Sequence, residues 1–584
     1  MKNTVLLIIM LFAVNIFHAR NRDVRVREYI TPQRIVWQKD GNNISDINIL
    51  LKEGNGQAEY WGRKFCRLSS AGGAKPAFLL DFGKELHGGI QIVTGLWEGK
   101  KPVKVRIRYG ESVSEAMSEI AGKGGATNDH AMRDQIVSLP WCGVYETGNS
   151  GFRFVRIDLL DEDVLLDLKE VRAISVMRDI EYKGSFRCND ERLNKIWETG
   201  AYTVHLNMQD YLWDGIKRDR LVWIGDMYPE VMTINTVFGY NEVVPKSLDL
   251  MRDITPLPGW MNDGYSSYSM WWLICHYDWF RYQGDLSYLK EQRDYITGLL
   301  KLLISKVGTD GKEQLDGIRF LDWPSNENPE AVDAGLQALL VWSMRAGKFL
   351  CDALGEKLLA EECVNTEKKL ISAASLASKE FFKTLKSPYA PGTKQAVSLM
   401  ALSDLMDKNE ADKKYLSVGG AKGFSTFYGY YMLEAMAAAG NYAGAMDIIS
   451  SYWGAMIDLG ATSFWEDFNV DWLPNAARID ELVPEGKKDI HGDYGAYCYV
   501  GFRHSLCHGW ASGPTSWLSR HVLGVEVVSP GCKEVRITPH LGNLKWVEGT
   551  FPTPYGVIKI RHEKQPDGKI KSMVDVPEGV SVIK

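Results

Sequence analysis

The sequence predicts a multidomain chain, β then α then β, and three observations predict it. Its 584 residues exceed the roughly 250–300 at which a single hydrophobic core stops growing. Strand-like alternation runs from about residue 30 to about 180 and returns after about 525. Between these regions, helical periodicity is sustained from about Cys188 onward.

In the N-terminal part, FLLDFGKELHGGIQIVTGLW (78–97) is expected to turn at Gly88-Gly89 and then alternate. VKVRIRYGES (103–112) places Val103, Val105, Ile107 and Tyr109 on one face and Lys104, Arg106 and Arg108 on the other. GFRFVRIDLL (151–160) repeats the pattern. Many short strands with Gly turns predict a β-sandwich, assigned to residues 20–185. Asn189 is placed to cap a helix in which Leu193, Ile196, Trp197, Val204 and Met208 recur at helical spacing. Further helical stretches are expected at 266–282, 285–306, 329–353, 355–384, 394–406, 424–438, 442–456 and 503–523. FYGYYMLEAMAAAG (427–440) is apolar on more than one face, as in a helix enclosed by others. No fixed-period repeat is evident, which favours a closed helical domain over a solenoid. A toroid of paired helices over residues 186–525 fits the pattern. EVRITPH (534–540), LKWVEGTF (544–551) and GVIKIRHEK (556–564) alternate and predict a small C-terminal β domain over 526–584.

Composition narrows the function. The net charge of −6, without a basic block, excludes a nucleic-acid footprint. The 19 Trp, 26 Tyr and 20 Phe suit core packing and the apolar faces of sugar rings. The N-terminus, MKNTVLLIIMLFAVNIFHAR, has Lys2, an apolar run from Val5 to Phe17, and Ala19 as a cleavage edge. This predicts a signal peptide over residues 1–19, export to the periplasm or medium, and no stable membrane insertion after cleavage. The nine Cys are odd in number, sparse and without a CxxC pair, so buried free thiols are expected. No H-E-x-x-H, Walker loop or strand-linked G-x-G-x-x-G occurs, so neither a catalytic metal nor another cofactor is expected.

Two stretches carry candidate chemistry. DGIKRDRLVWIGD (214–226) holds Asp214, Asp219 and Asp226 with Arg218, Arg220 and Trp223, flanked by Gly215 and Gly225 in a loop between helices. GATSFWEDFNVDW (460–472) places Glu466 after Trp465, again where a helix gives way to a loop. Glycoside hydrolysis needs two such carboxyls, one protonated and one ionised, across a scissile bond. On the residues alone a structural reading stays open, with Asp226 capping the next helix and the arginines neutralising the aspartates.

DGIKRDRLVWIGD resembles the acid loop of α-L-rhamnosidases, the six-hairpin glycosidases with a D-C-P-x-R-E-R-L-G-W-T-G-D pattern. Asp214, Arg218, Arg220, Leu221, Trp223, Gly225 and Asp226 match. GATSFWEDF resembles the base segment of that family, and residues 505–560 resemble its closing helix and C-terminal β domain. The resemblance implies an (α/α)6 barrel flanked by an N-terminal β-sandwich and a small C-terminal β domain, with an inverting mechanism. It makes Asp219 the general acid and Glu466 the general base. It gives sugar contacts to Asp214, Arg218, Asp226 and Trp223. Asp322-Trp323 in FLDWPS resembles a barrel loop lining the sugar pocket, and Trp465, His508 and Trp510 are further candidate sugar contacts. Trp260, Asp263 and Tyr265 are expected on another loop at the same end. One departure stands out: the family usually has Glu where this chain has Asp219, one methylene and about 1.5 Å shorter. The implied activity is release of terminal α-L-rhamnose from a plant-type glycan or glycoside, so the expected partner is a rhamnose-containing carbohydrate. A lyase acting on a rhamnose–uronate linkage and a non-catalytic sugar-binding protein are the alternatives.

Overall fold

The computed structural model describes residues 23–60, 64–97 and 99–583, so the leader predicted over 1–19 lies outside the described residues. Ten strands between Arg25 and Arg178 form one antiparallel sheet organised by the long strand Ala77–Thr94. Its first half pairs with Arg34–Lys39 and Ser150–Leu159. Its second half pairs with Leu165–Arg178 and Val144–Glu146. The register shifts between Asp81 and Leu86, and a strand that changes partners at such an irregularity turns a sheet back over its own core. Val103, Val105, Ile107 and Tyr109 all enter that core, with Phe78, Leu80, Ile90 and Ile92. Lys104 is exposed, while Arg108 is buried and paired with Glu119 at 2.9 Å and Asp158 at 3.1 Å. The expected turn at Gly88-Gly89 does not exist. Both glycines lie inside the continuous strand, and a Cβ on Gly88 would come within 1.8 Å of the Ile174 carbonyl oxygen. Glycine there permits close strand approach.

The helical domain is a closed ring. Six inner helices are Ile224–Val237, Ser266–Gln283, Pro329–Leu354, Thr393–Leu402, Gly429–Ala438 and the segment from Gly513 to Val522. Each packs on the next, and the last packs on the first. Each is preceded by an outer segment, beginning with Glu191–Asn207 and ending with Tyr442–Asp458. Every residue of Ile224–Val237 is buried, as an inner helix of such a ring requires. Stacked Tyr228, Trp271 and Tyr431 fill the axis, with ring centroids 4.8–5.9 Å apart. Because inner and outer helices alternate in direction, the loops running from outer to inner helix all open at one end of the ring.

Local expectations differ from the structure in the helical region too, where the stretch 285–306 divides into Leu286–Glu291 and Arg293–Ser305. The first outer helix is capped by Asp190, whose side chain accepts from the N–H groups of Arg192 and Leu193. Asn189 instead accepts from the N–H of Lys545 at 2.6 Å, a tie to the C-terminal domain. The stretch 355–384 breaks into Lys357–Ser372, Ala374–Ala377 and Lys379–Thr384. Residues 504–508 are not helical; the Ser505 carbonyl and the His508 N–H bond to the Glu466 segment instead.

The C-terminal strands form two small sheets. Ser185–Cys188, which precedes the ring, pairs with Trp546–Thr553, so the entrance and exit of the helical domain meet on one sheet. Among the described residues no helix is long and apolar enough to cross a membrane.

Candidate active site

The acid-loop stretch is shaped by its own first aspartate. Asp214 accepts from the N–H of Asp219 at 2.7 Å and from that of Leu221 at 3.0 Å. This folds the loop back and presents Asp219, to which Arg218 Nε lies 3.0 Å away. Arg220 leaves the site, donating to the Asn149 carbonyl at 3.3 Å and lying over the Trp213 ring. Asp226 sits in the first turn of its helix but does not cap it. Its Oδ1 is 2.9 Å from His508 Nε2. Burial, and next Asp219, push the Asp226 carboxyl well above the usual carboxylate range.

Backbone pairing joins two distant segments to this loop. The Glu466 N–H donates to the Ser505 carbonyl at 2.9 Å, and the His508 N–H to the Phe464 carbonyl at 2.9 Å. The Gly509 N–H donates to the Asp214 carbonyl at 2.8 Å. Glu466 Oε2 accepts from the Ser505 N–H at 3.0 Å, and Oε1 is 4.0 Å from His508 Nδ1. His508 therefore stands between Glu466 and Asp226. Burial raises the pKa of Glu466 above its ordinary value, while His508 and Arg218 pull it down.

These groups face one cavity of ≈ 290 Å³, at the lower end of small-molecule sites and sized for a sugar unit. Asp214, Arg218, Asp219, Trp223, Asp226, Trp323, Glu466, His508 and Trp510 line it. Two predicted contacts do not. Asp322 is buried and turned into the protein, accepting from the Ser325 N–H at 3.0 Å and from Gln395 Nε2 at 2.9 Å. It holds the loop that carries Trp323. Trp465 is buried at 1% exposure against Phe468, on the core side of the Glu466 backbone. Tyr268, Phe320, Cys498 and Arg503 also line the cavity; Phe320 opens the FLDWPS stretch and Tyr268 follows Tyr265 by three residues, but none of the four was singled out. Tyr265 lines it as well, whereas Trp260 pairs with Asp316 at 3.0 Å. A larger hollow of ≈ 470 Å³ lies on the C-terminal sheet. Its acids are Asp575 and Glu548, the latter paired with Arg561.

Residues 181–522 match the bacterial alpha-L-rhamnosidase 6 hairpin glycosidase domain. The chain belongs to that family. Residues 524–583 match the bacterial alpha-L-rhamnosidase C-terminal domain. The chain is 24% identical over 545 residues to an alpha-L-rhamnosidase of Alteromonas sp. (strain LOR), covering 87% of this chain and 55% of that one. It thus spans about half the length of this curated relative. Among solved structures, the GH78 family rhamnosidase of Bacillus sp. GL1 superposes with a TM-score of 0.73 at 21% identity, over 90% of this chain and 54% of that one. A rhamnosidase from Klebsiella oxytoca with rhamnose bound gives 0.65 at 17%, over 85% and 96%. The Streptomyces avermitilis alpha-L-rhamnosidase complexed with L-rhamnose gives 0.67 at 19%, over 87% and 48%. At these identities the likeness is one of fold.

In this rhamnosidase-family chain the acid loop is also clamped from below. Lys217, 1% exposed, places Nζ 2.9 Å from Glu111 and 3.2 Å from Glu115 of the sheet domain. It also donates to the carbonyls of Phe502 at 2.9 Å and His504 at 2.6 Å. Glu111, Glu115 and His491 converge closely enough to suggest metal ligands. The Lys217 ammonium and the Arg133 guanidinium on Glu115 already supply the positive charge there. The group reads as a buried ionic joint between domains.

Proposed function

We propose that this chain is an exported glycoside hydrolase that releases terminal α-L-rhamnose from a plant-type glycan or glycoside with inversion at the anomeric carbon. The observation that carries the reading is that Asp219 and Glu466, from two loops distant in sequence, face one sugar-sized cavity. Family membership and the rhamnose named in two structural relatives support the sugar. The predicted leader supports export.

In this reading Glu466 takes a proton from a water as its oxygen attacks the anomeric carbon. The glycosidic bond breaks, its electron pair passes to the leaving oxygen, and Asp219 protonates that oxygen. Arg218 and His508 oppose the effect of burial on Glu466 and so favour the ionised form a base needs. Trp223, Trp323 and Trp510 offer flat apolar walls to the sugar ring, while Asp226 and Arg218 offer hydrogen-bonding partners for its hydroxyls.

Asp219→Asn and Glu466→Gln should each lower kcat on an aryl α-L-rhamnoside by about 10²–10⁴-fold while thermal unfolding stays near that of the parent. NMR of the first-formed sugar should show the β-anomer. Near-parental turnover in either variant would remove that residue from its role, first-formed α-rhamnose would reject inversion, and an ultraviolet-absorbing unsaturated product from a rhamnose–uronate glycan would indicate elimination instead.

A further inference from the structure

One group facing Asp219 comes from outside the helical ring. His130 belongs to the sheet domain, and its Nε2 lies 3.3 Å from Asp219 Oδ1 and 3.6 Å from Asp129 Oδ2. Its side chain is 25% exposed and that of Asp219 17%, so the imidazole meets both solvent and the carboxyl.

The segment carrying His130 is braced. Asn128 Oδ1 accepts from the N–H groups of Arg133 at 2.8 Å and Asp134 at 3.0 Å, and its Nδ2 donates to the Asp134 carbonyl at 3.1 Å. Arg133 Nε donates to the Thr127 carbonyl at 2.7 Å, and the Thr127 hydroxyl bonds to Asp129. Arg503, which lines the cavity, pairs with Asp129 at 3.1 Å. The Phe502 N–H donates to the Gly124 carbonyl at 2.6 Å. Residues 124–133 are therefore fastened to the mouth of the cavity on both sides.

An acid that gives its proton to a leaving group must regain one before the next turnover. The charged groups around Asp219 narrow the source. Arg218, 3.0 Å from Oδ1, is a guanidinium that does not release its proton in a protein. Asp214 is occupied by two backbone N–H groups. Arg503 is paired with Asp129. Among the described residues, the ion-pair partners of the Asp219 carboxyl within 4 Å are Arg218 and His130, and of the two the imidazole is the one whose ring nitrogens can both accept and donate a proton.

We propose that His130 is a positioning residue that acts through Asp219, returning a proton to its carboxylate between turnovers. The proposal rests on Asp219 being the general acid. After Asp219 has protonated the leaving oxygen, the His130 Nε2–H passes its proton to Asp219 Oδ1, and the imidazole takes a proton from solvent. The 3.3 Å approach is not an aligned hydrogen bond, and catalytic contacts of this kind commonly tighten when the site is loaded.

The test is a leaving-group series on the full chain, from 2,4-dinitrophenyl α-L-rhamnoside, which departs without protonation, to methyl α-L-rhamnoside, which does not. His130→Gln and His130→Ala should lose about tenfold or more in kcat on the methyl substrate relative to the dinitrophenyl one, with KM changed little. Added imidazole should restore part of the loss in the Ala variant. Turnover of the dinitrophenyl substrate by the same variants reports a folded site. Asp219→Asn is run beside them. If it shows the leaving-group dependence and the His130 variants lose equally on both substrates or not at all, the role of His130 falls and the acid assignment stands. If Asp219→Asn shows no such dependence, the acid assignment fails and the proposal fails with it.

Discussion

Asp214 gives both of its oxygens to the backbone of the loop it opens, and it sits beside two further carboxyls. Burial is the main cause that raises its pKa to about 7; His508 opposes the rise, and Asp226 and Asp219 add to it. A carboxyl whose folded pKa lies above its unfolded value stabilises the fold fully at low pH and loses that contribution as pH rises through the folded pKa. The stability of the parent relative to Asp214→Asn should therefore fall between about pH 4 and about pH 7, as measured by urea unfolding across that window. A difference that stays constant or grows with pH would contradict the assignment. Glu230, one turn after Asp226, carries the same physics further. It is wholly buried, neither of its oxygens finds a hydrogen-bond partner among the described residues, and burial drives its pKa well above the usual range. A Cβ on Gly509 would lie 1.5 Å from its Oε1. The glycine of the H-G-W triplet makes room for this acid behind the site.

At the scale of the element, the acid loop depends on a lysine that never reaches the cavity. Lys217→Met removes the ammonium that Glu111 shares and leaves the carbonyls of Phe502 and His504 without that donor. Leaving a buried charge without its partner costs about 3–5 kcal/mol. Chemical denaturation near neutral pH should show a loss of that size, and a loss below about 1 kcal/mol would mean that the joint is no more than a surface ion pair. The two acid-bearing loops were legible in the sequence because each is a short stretch whose charges and Trp stand together between helices. The barrel was legible through the long helical periodicity and the resemblance. Cys498, Arg503 and His130 were not, because they reach the site through folding of distant segments and share no local spacing. Asp322 and Trp465 show the reverse failure. An acid beside a Trp reads alike whether the side chain faces a cavity or the core, and only packing distinguishes them. Gly88-Gly89 read as a turn because glycine serves both turns and close strand contacts.

Across the whole molecule, the sheet domain is bonded to the same segments that carry the site. Arg153 donates to the Gly460 carbonyl at 3.0 Å, and the Glu85 N–H to the Thr462 hydroxyl at 2.8 Å. The Leu506 N–H donates to Glu111 at 2.6 Å. These ties couple sheet and ring, so calorimetry should show them unfolding in a single transition, and two well-separated transitions would refute the coupling. The strand Ser185–Cys188 extends the same dependence along the gene. It leads into the first helix of the ring, yet its partner Trp546–Thr553 comes only after the ring is complete. During synthesis this strand leaves the ribosome long before that partner exists, and its edge stays open through the making of every hairpin. A stretch that follows the whole ring in the chain is thus the latch for the first turn of the barrel.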